Sequence, residues 1–314
     1  MRLEVIPYSA TLESAWNTLV AESRNGTFLF DRRFMDYHAH RFTDASLCVM
    51  EDGRMLAALP ASQDGTAIVS HGGLTYGGLI VGERHTGAAD IFRMLTMIAE
   101  RLAAFGAKRF VYKPVPHIYH RAPSEDDLSA LFRLGAKLTR RDLSSAIAPH
   151  APVPLRKGRK ALVQRASGKP GLSFAESTDF AGFHALLTQR LAERRGLSPV
   201  HTVDEIKLLT SRFSSKIRLH AAHLEGRMIA ACLTFETSRV IHTQYIASDA
   251  EGRDSGAIDH IVARLIARAQ SEGRWFDFGI STLENGRVLD EGLIAYKEGF
   301  GARGIAYDRY EVTL

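Results

Sequence analysis

The residues whose types could do chemistry gather in the last third of the chain. Asp277 stands between two phenylalanines in FDFGISTLENGR, Phe276 to Arg287. Alternation turns the two rings to one face of a strand and the carboxylate to the other. Such an Asp either orients a reacting group or caps its loop by accepting the N–H groups of Ser281 and Thr282. Further on, LIAYKEGFG puts Tyr296, Lys297 and Glu298 into one helical turn. A Tyr hydroxyl can protonate a leaving group, a Lys can bind phosphate, and a Glu can take a proton through a water. Adjacent helical positions diverge, so Lys297 and Glu298 are not a facing pair. Tyr245 lies in the strand-like IHTQYIAS. A strict period of two puts Ile241, Thr243 and Tyr245 on one face, with His242, Gln244 and Ile246 on the other. In RRGLSPVHT, Arg194 and His201 share a loop, and an imidazole exchanges protons near neutral pH. Each residue also has an ordinary reading: a packed Tyr, a surface Lys, a capping Asp.

The elements that must position them can be read from period and punctuation. Thr202, three residues before Glu205, forms a capping box for a helix over 203–214, and a second helix is expected over 179–195. In EGRDSGAIDHIV, Asp254 and Ser255 can cap a helix. Gly256 and Ala257 open it, and a helix start with free N–H groups suits a phosphate, with Arg253 and Ser255 beside it. This plan occurs twice. EDGRMLAAL from Glu51 matches LEGRMIAAC from Leu224, each a strand, tight turn and strand. GAADIFRMLTMIAERLAAFG from Gly87 matches GAIDHIVARLIARAQSEG from Gly256, each an amphipathic helix followed by a short strand. The fold class expected is α+β, a mixed α/β chain of two tandem domains. Each has a mixed, mostly antiparallel sheet flanked by helices. The Pro-rich PHAPVP sets the boundary, giving domains 1–150 and 151–314.

Composition narrows the class. The 314 residues are 45% hydrophobic and carry a net charge of +5, which suits an anionic small ligand. The RKGRK run at 156–160 is a solvated helix start or a phosphate patch. No basic run with interleaved aromatics points to nucleic acid. Cys48 and Cys232 each sit in an apolar run, as buried reduced thiols would. There is no secretory leader and no apolar run of the roughly 18–20 residues that span a bilayer, so a cytoplasmic protein is expected. The histidines at 38, 40, 117 and 120 lack acids or cysteines at ligand spacing, so no metal is expected. SHGGLTYGGL is Gly-rich without the Lys-Ser/Thr ending of a phosphate loop.

With these pieces in this order the chain resembles the GNAT N-acyltransferase superfamily in its tandem form, and most closely the Fem-type and BioF2-like acyltransferases. The resemblance rests on RKGRKALVQRA (156–166), RRGLSPVHT (194–202), IHTQYIASDAEGRDSGAIDHIV (241–262), FDFGIS (276–281) and LDEGLIAYKEGFGARG (289–304). It implies transfer from acetyl-CoA or another acyl-CoA to a small-molecule amine acceptor. A nucleotide-linked amino sugar, or another cell-envelope or polysaccharide precursor, suits the charge. It assigns donor binding to Tyr245, Ile246, Ala247, Arg253, Ser255, Gly256 and Ala257. Catalysis would fall to Asp277, Tyr296, His201 and Tyr245, and acceptor contacts to Arg194, His201, Lys297 and Glu298. The first half would be a degenerate copy that shapes the cleft. Two alternatives stay open. One is a Fem-like transfer from aminoacyl-tRNA to a peptidoglycan precursor, although the helical arm such enzymes use for tRNA has no counterpart here. The other is a non-catalytic GNAT-fold sensor.

Overall fold

In a computed structural model, residues 3–82 and 86–314 are described, apart from the side chains at 194 and 195. The chain forms two compact units. Unit 1 is Met1–Asp142, Glu284–Arg287 and Ala306–Leu314, and unit 2 is Leu143–Leu283 and Val288–Ile305.

Unit 1 opens with β1 (Leu3–Pro7), α1 (Glu13–Glu22) and α2 (Arg32–Met35). The strands β2 (Thr43–Asp44), β3 (Leu47–Glu51), β4 (Arg54–Leu59), β5 (Ser62–Asp64), β6 (Ala67–Val69) and β7 (Ile80–Val81) follow. Then come α3 (Ala88–Ala104), β8 (Arg109–Tyr112), α4 (Asp126–Arg133) and β9 (Lys137–Ile147), which runs on into unit 2. Unit 2 continues with α5 (Lys157–Ser167), β10 (Leu172–Ser177), α6 (Phe180–Arg195) and α7 (Val203–Arg212). After them lie β11 (Ile217–Leu224), β12 (Arg227–Glu236), β13 (Val240–Ser248), α8 (Ala250–Asp254), α9 (Ala257–Ser271) and β14 (Trp275–Ile280). The short β15 (Thr282–Leu283) and β16 (Val288–Leu289), then α10 (Glu291–Glu298) and β17 (Arg303–Thr313), complete the chain.

The repeated plan is present in both units. The turns Asp52–Gly53 and Glu225–Gly226 have positive φ at both residues, 47° and 80° in one and 51° and 82° in the other. That pair of angles closes a two-residue hairpin with the twist its strands need. α3 buries Ile91, Met94, Leu95, Ile98 and Leu102, and α9 buries Ile258, Ile261, Val262, Leu265 and Ile266. Each such side chain contributes roughly 1.5–3 kcal/mol when fully buried. In unit 1 they pack with Val49, Leu59 and Phe110, and in unit 2 with Ile229, Cys232 and Phe276. The fold is thus α+β in two tandem halves, each with sheet strands that pair mainly antiparallel. Among the described residues, β6 pairs with β8 and β13 with β14 in parallel.

The chain passes from unit 1 to unit 2 within β9, between Asp142 and Leu143, and returns to unit 1 over Glu284–Arg287 and again from Ala306. The expected boundary lay in the Pro-rich segment near residue 150. The unbroken strand Lys137–Ile147 carries the crossing instead, because its two ends serve different units. Both cysteines are buried free thiols, and burial pushes Cys48 up to about 12. Among the described residues no helix is long and apolar enough to cross a membrane.

Candidate active site

In unit 2, β13 and β14 pair only through Val240–Trp275, Ile241–Phe276 and His242–Asp277. Past that point the strands part, and a cavity of about 680 Å³ is lined by both of them together with α5, α6, α9 and α10. Tyr245, Arg159, Asp259, Tyr296 and Lys297 are on its wall.

A bulge in β13 decides which side chains face which layer. The register to β12 runs Ala247–Ala231, Ile246–Cys232 and Tyr245–Leu233, then shifts, so that Thr234 pairs with Thr243. One extra residue reverses the alternation beyond it. Ile241 and Ile246 therefore share the apolar layer under α9. Tyr245 turns to the other face, where its ring lies 6.5 Å from Phe183 of α6. Strict alternation placed Tyr245 with Ile241 and Ile246 with His242, and the bulge overturns both assignments.

Asp277 is fully buried. Phe276 and Phe278 enter the apolar layer, so the carboxylate points to the opposite face, as alternation requires. It accepts from Ser144 Oγ at 2.6 Å and Gly279 N at 3.0 Å, and His242 Nδ1 lies 2.9 Å from its other oxygen. The loop it caps is held through Gly279. The expected N–H of Ser281 donates to Leu143 O instead. Sequence reasoning missed His242 and Ser144 as partners of this Asp. Strand order and register bring them there, and no local spacing signals it.

Lys297 is 3% exposed, not the surface charge its composition suggested. Its Nζ donates to Gly279 O at 2.6 Å and Ile280 O at 3.0 Å, satisfying carbonyls where β14 ends. Its neighbour Tyr296 is half-buried with its hydroxyl enclosed, and that enclosure pushes the phenol well above its ordinary range. The Tyr296 hydroxyl and the Thr243 hydroxyl, both on the cavity wall, have no hydrogen-bond partner among the described residues. Arg159 stacks over the Tyr296 ring at 4.3 Å and pairs with Asp259. Burial raises the Asp259 carboxyl and Arg159 opposes the rise. Glu298 is tied to Arg156 at 3.1 Å and is not among the cavity's described lining residues.

His201 reaches the site from the loop between α6 and α7, with Nδ1 2.6 Å from the Tyr245 hydroxyl. The Thr202–Glu205 capping box is present, each side chain bonded to the other's backbone N–H. Burial raises the Tyr245 phenol. The Arg194 side chain lies outside the described residues.

The expected phosphate seat has a different geometry. Gly256 has φ 77°, and a Cβ there would meet the Leu162 carbonyl oxygen at 2.2 Å. Ala257 is fully buried, Ser255 is buried with its hydroxyl 3.5 Å from Gly252 O, and Arg253 donates to Ser248 O at 2.9 Å. The first turn of α9 holds the buried carboxylate of Asp259. A helix start favours one anion, and here a side chain is already that anion. Ile246 lines the cavity, whereas Ala247 is buried opposite Ala231 in the ladder.

In unit 1, side chains bond to the backbone at and before β7. Asn25 donates to Leu79 O at 2.8 Å and accepts from Val81 N at 3.0 Å. The Tyr112 hydroxyl accepts from Leu79 N at 2.7 Å and donates to Asp127 at 2.6 Å. Side chains therefore use the backbone groups that, at Tyr245 and Ile246 of unit 2, border a cavity.

Residues 154–298 match the family described as acetyltransferase (GNAT) domain. No curated protein matches the chain. Among solved structures the chain is similar to FemX, at 14% identity and a TM-score of 0.71 over 99% of this chain and 97% of that one. It is also similar to L-PGS from Bacillus licheniformis, at 14% identity and a TM-score of 0.63 over 97% and 91%. A tandem GNAT protein from the clavulanic acid biosynthesis pathway aligns at 14% identity and a TM-score of 0.51 over 99% and 98%. At these identities the likeness is one of fold. Residues 154–298 thus match the acetyltransferase (GNAT) domain family, and the chain as a whole shares its fold with FemX and with a tandem GNAT protein.

Proposed function

We propose that the chain is an N-acyltransferase that moves an acyl group from an activated carbonyl donor to an amine. The observation that carries this reading is the cavity where β13 and β14 part, inside the domain that matches the acetyltransferase family. Acyl transfer needs hydrogen-bond donors where negative charge develops on the carbonyl oxygen. The buried, unpartnered hydroxyls of Tyr296 and Thr243 are such donors, and native structures rarely leave buried hydroxyls without a partner. Tyr296 keeps its proton because burial opposes its ionisation. The β13 backbone past His242 borders the cavity and supports an N–H contact to the donor near Tyr245 and Ile246.

The family description supports an acyl-CoA donor. Asp259 in the first turn of α9 argues that the pyrophosphate of such a donor is not held there. The arginines 159, 190 and 253 on the cavity wall support an anionic substrate, and a nucleotide-linked amino sugar is the acceptor we favour. A second reading, transfer of an aminoacyl group from tRNA, rests on the fold likeness to FemX.

The test is thiol release from acetyl-CoA and from S-acetyl-N-acetylcysteamine across a panel of amines. Thiol release that depends on the amine is expected. No release with either donor, with transfer from aminoacyl-tRNA instead, would establish the second reading. Tight coenzyme binding with no turnover on any amine would make the chain a sensor.

A further inference from the structure

We propose that His242, held by Asp277, takes the proton from the acceptor amine; this rests on the acyltransferase reading above. His242 is the last residue of β13 that pairs with β14, so its ring lies where the two strands begin to part. Its side chain is 13% exposed, against zero for Asp277. The bulge puts it on the same face of the sheet as Tyr245, whose hydroxyl meets His201, and next in the chain to the cavity-lining Thr243.

The ring's two nitrogens have separate duties. Asp277 already accepts from Ser144 and Gly279, and it receives the Nδ1–H of His242. A carboxylate in that place fixes the tautomer and leaves the lone pair on Nε2. Gly279 has φ 76°, and a Cβ there would lie 3.1 Å from His242 Cε1, so the ring packs directly over this glycine. The same glycine's carbonyl holds Lys297. One strand end thus orients the imidazole and the cavity lysine together.

The other titratable groups nearby are committed. Asp277 is fully buried and bonded to Ser144, Gly279 and His242. The His201 Nδ1 is bonded to Tyr245, Asp259 to Arg159, and Glu298 to Arg156. An amine arrives as an ammonium. Its N–H bond breaks, the electron pair stays on nitrogen, and the proton moves to Nε2. The C–N bond to the donor carbonyl then forms as the bond to the leaving group breaks. The nitrogen's second proton goes to the leaving group, and His242 returns its own to solvent.

The test compares two acceptors with S-acetyl-N-acetylcysteamine as donor: an alkylamine, which is protonated at neutral pH, and hydroxylamine, which is not. His242→Asn keeps an N–H for Asp277 but has no base, and His242→Gln is the second variant. The expected result is a loss of kcat with the alkylamine of roughly 100-fold or more in both variants. Hydroxylamine should be used nearly as well as by the wild type, with melting temperatures unchanged. Equal losses with both acceptors, or none with either, would overturn the assignment. A wild-type protein inactive with both acceptors would instead sink the acyltransferase reading itself.

Discussion

At Gly256 the backbone sits at φ 77° with the Leu162 carbonyl oxygen 2.2 Å from the place a Cβ would take. This glycine is required by a close crossing of α5 over the start of α9, not by an approaching phosphate. Gly256→Ala should therefore cost about 2–4 kcal/mol, from the left-handed strain and the forced shift of α5. Urea denaturation measures it, and a loss under about 0.5 kcal/mol would show that the crossing is loose. The same pattern explains what was legible residue by residue. The glycine, the Tyr–Lys pair of α10 and the buried Asp277 could all be picked out by type and spacing. Their partners could not. Leu162 is far from Gly256 in the chain, and His242 and Ser144 meet Asp277 only through strand register.

Elements were read well where their signals are local. The two amphipathic helices, the two hairpin turns and the Thr202 cap depend on residues within a few positions of one another, and all are present. The bulge in β13 depends on its pairing with β12, so a period of two carried past it misplaced Tyr245 and Ile246. The cap matters for the site as well as for the helix, because His201 directly precedes it and its Nδ1 reaches Tyr245. Thr202→Ala removes the acceptor for Glu205 N and should cost about 1 kcal/mol. It should also free the His201 loop, which would show as faster hydrogen exchange at residues 200–202. A stability loss with unchanged exchange there would separate the cap from the loop.

For the whole chain, two copies of one plan have been put to different uses. In unit 2 the strand after the hairpin borders an opening, and in unit 1 Asn25 and Tyr112 bond to backbone groups at its counterpart. Unit 1, like unit 2, buries a lysine against backbone carbonyls. Lys113 is 5% exposed and donates to His71 O and Leu74 O, both at 2.6 Å. Burial first, and then Arg309 and Arg140, lower its ammonium from 10.5 to about 7. A folded-state value below the unfolded one means that the native state binds fewer protons between these limits, so stability rises with pH across that window. The burial cost is full below about 7 and gone above 10.5. Asp127, pushed up to about 6, works in the opposite sense, but its window from 3.8 to about 6 ends before this one begins. Tyr112 is raised above 10.0 and so titrates beyond it. Between pH 7 and about 9 the Lys113 contribution is therefore separable. Lys113→Met should lack it, so urea denaturation in that range should show the wild type gaining stability on the variant as pH rises. A constant difference would mean that Lys113 stays protonated in the folded protein, with the carbonyls of His71 and Leu74 supplying the solvation that burial removes.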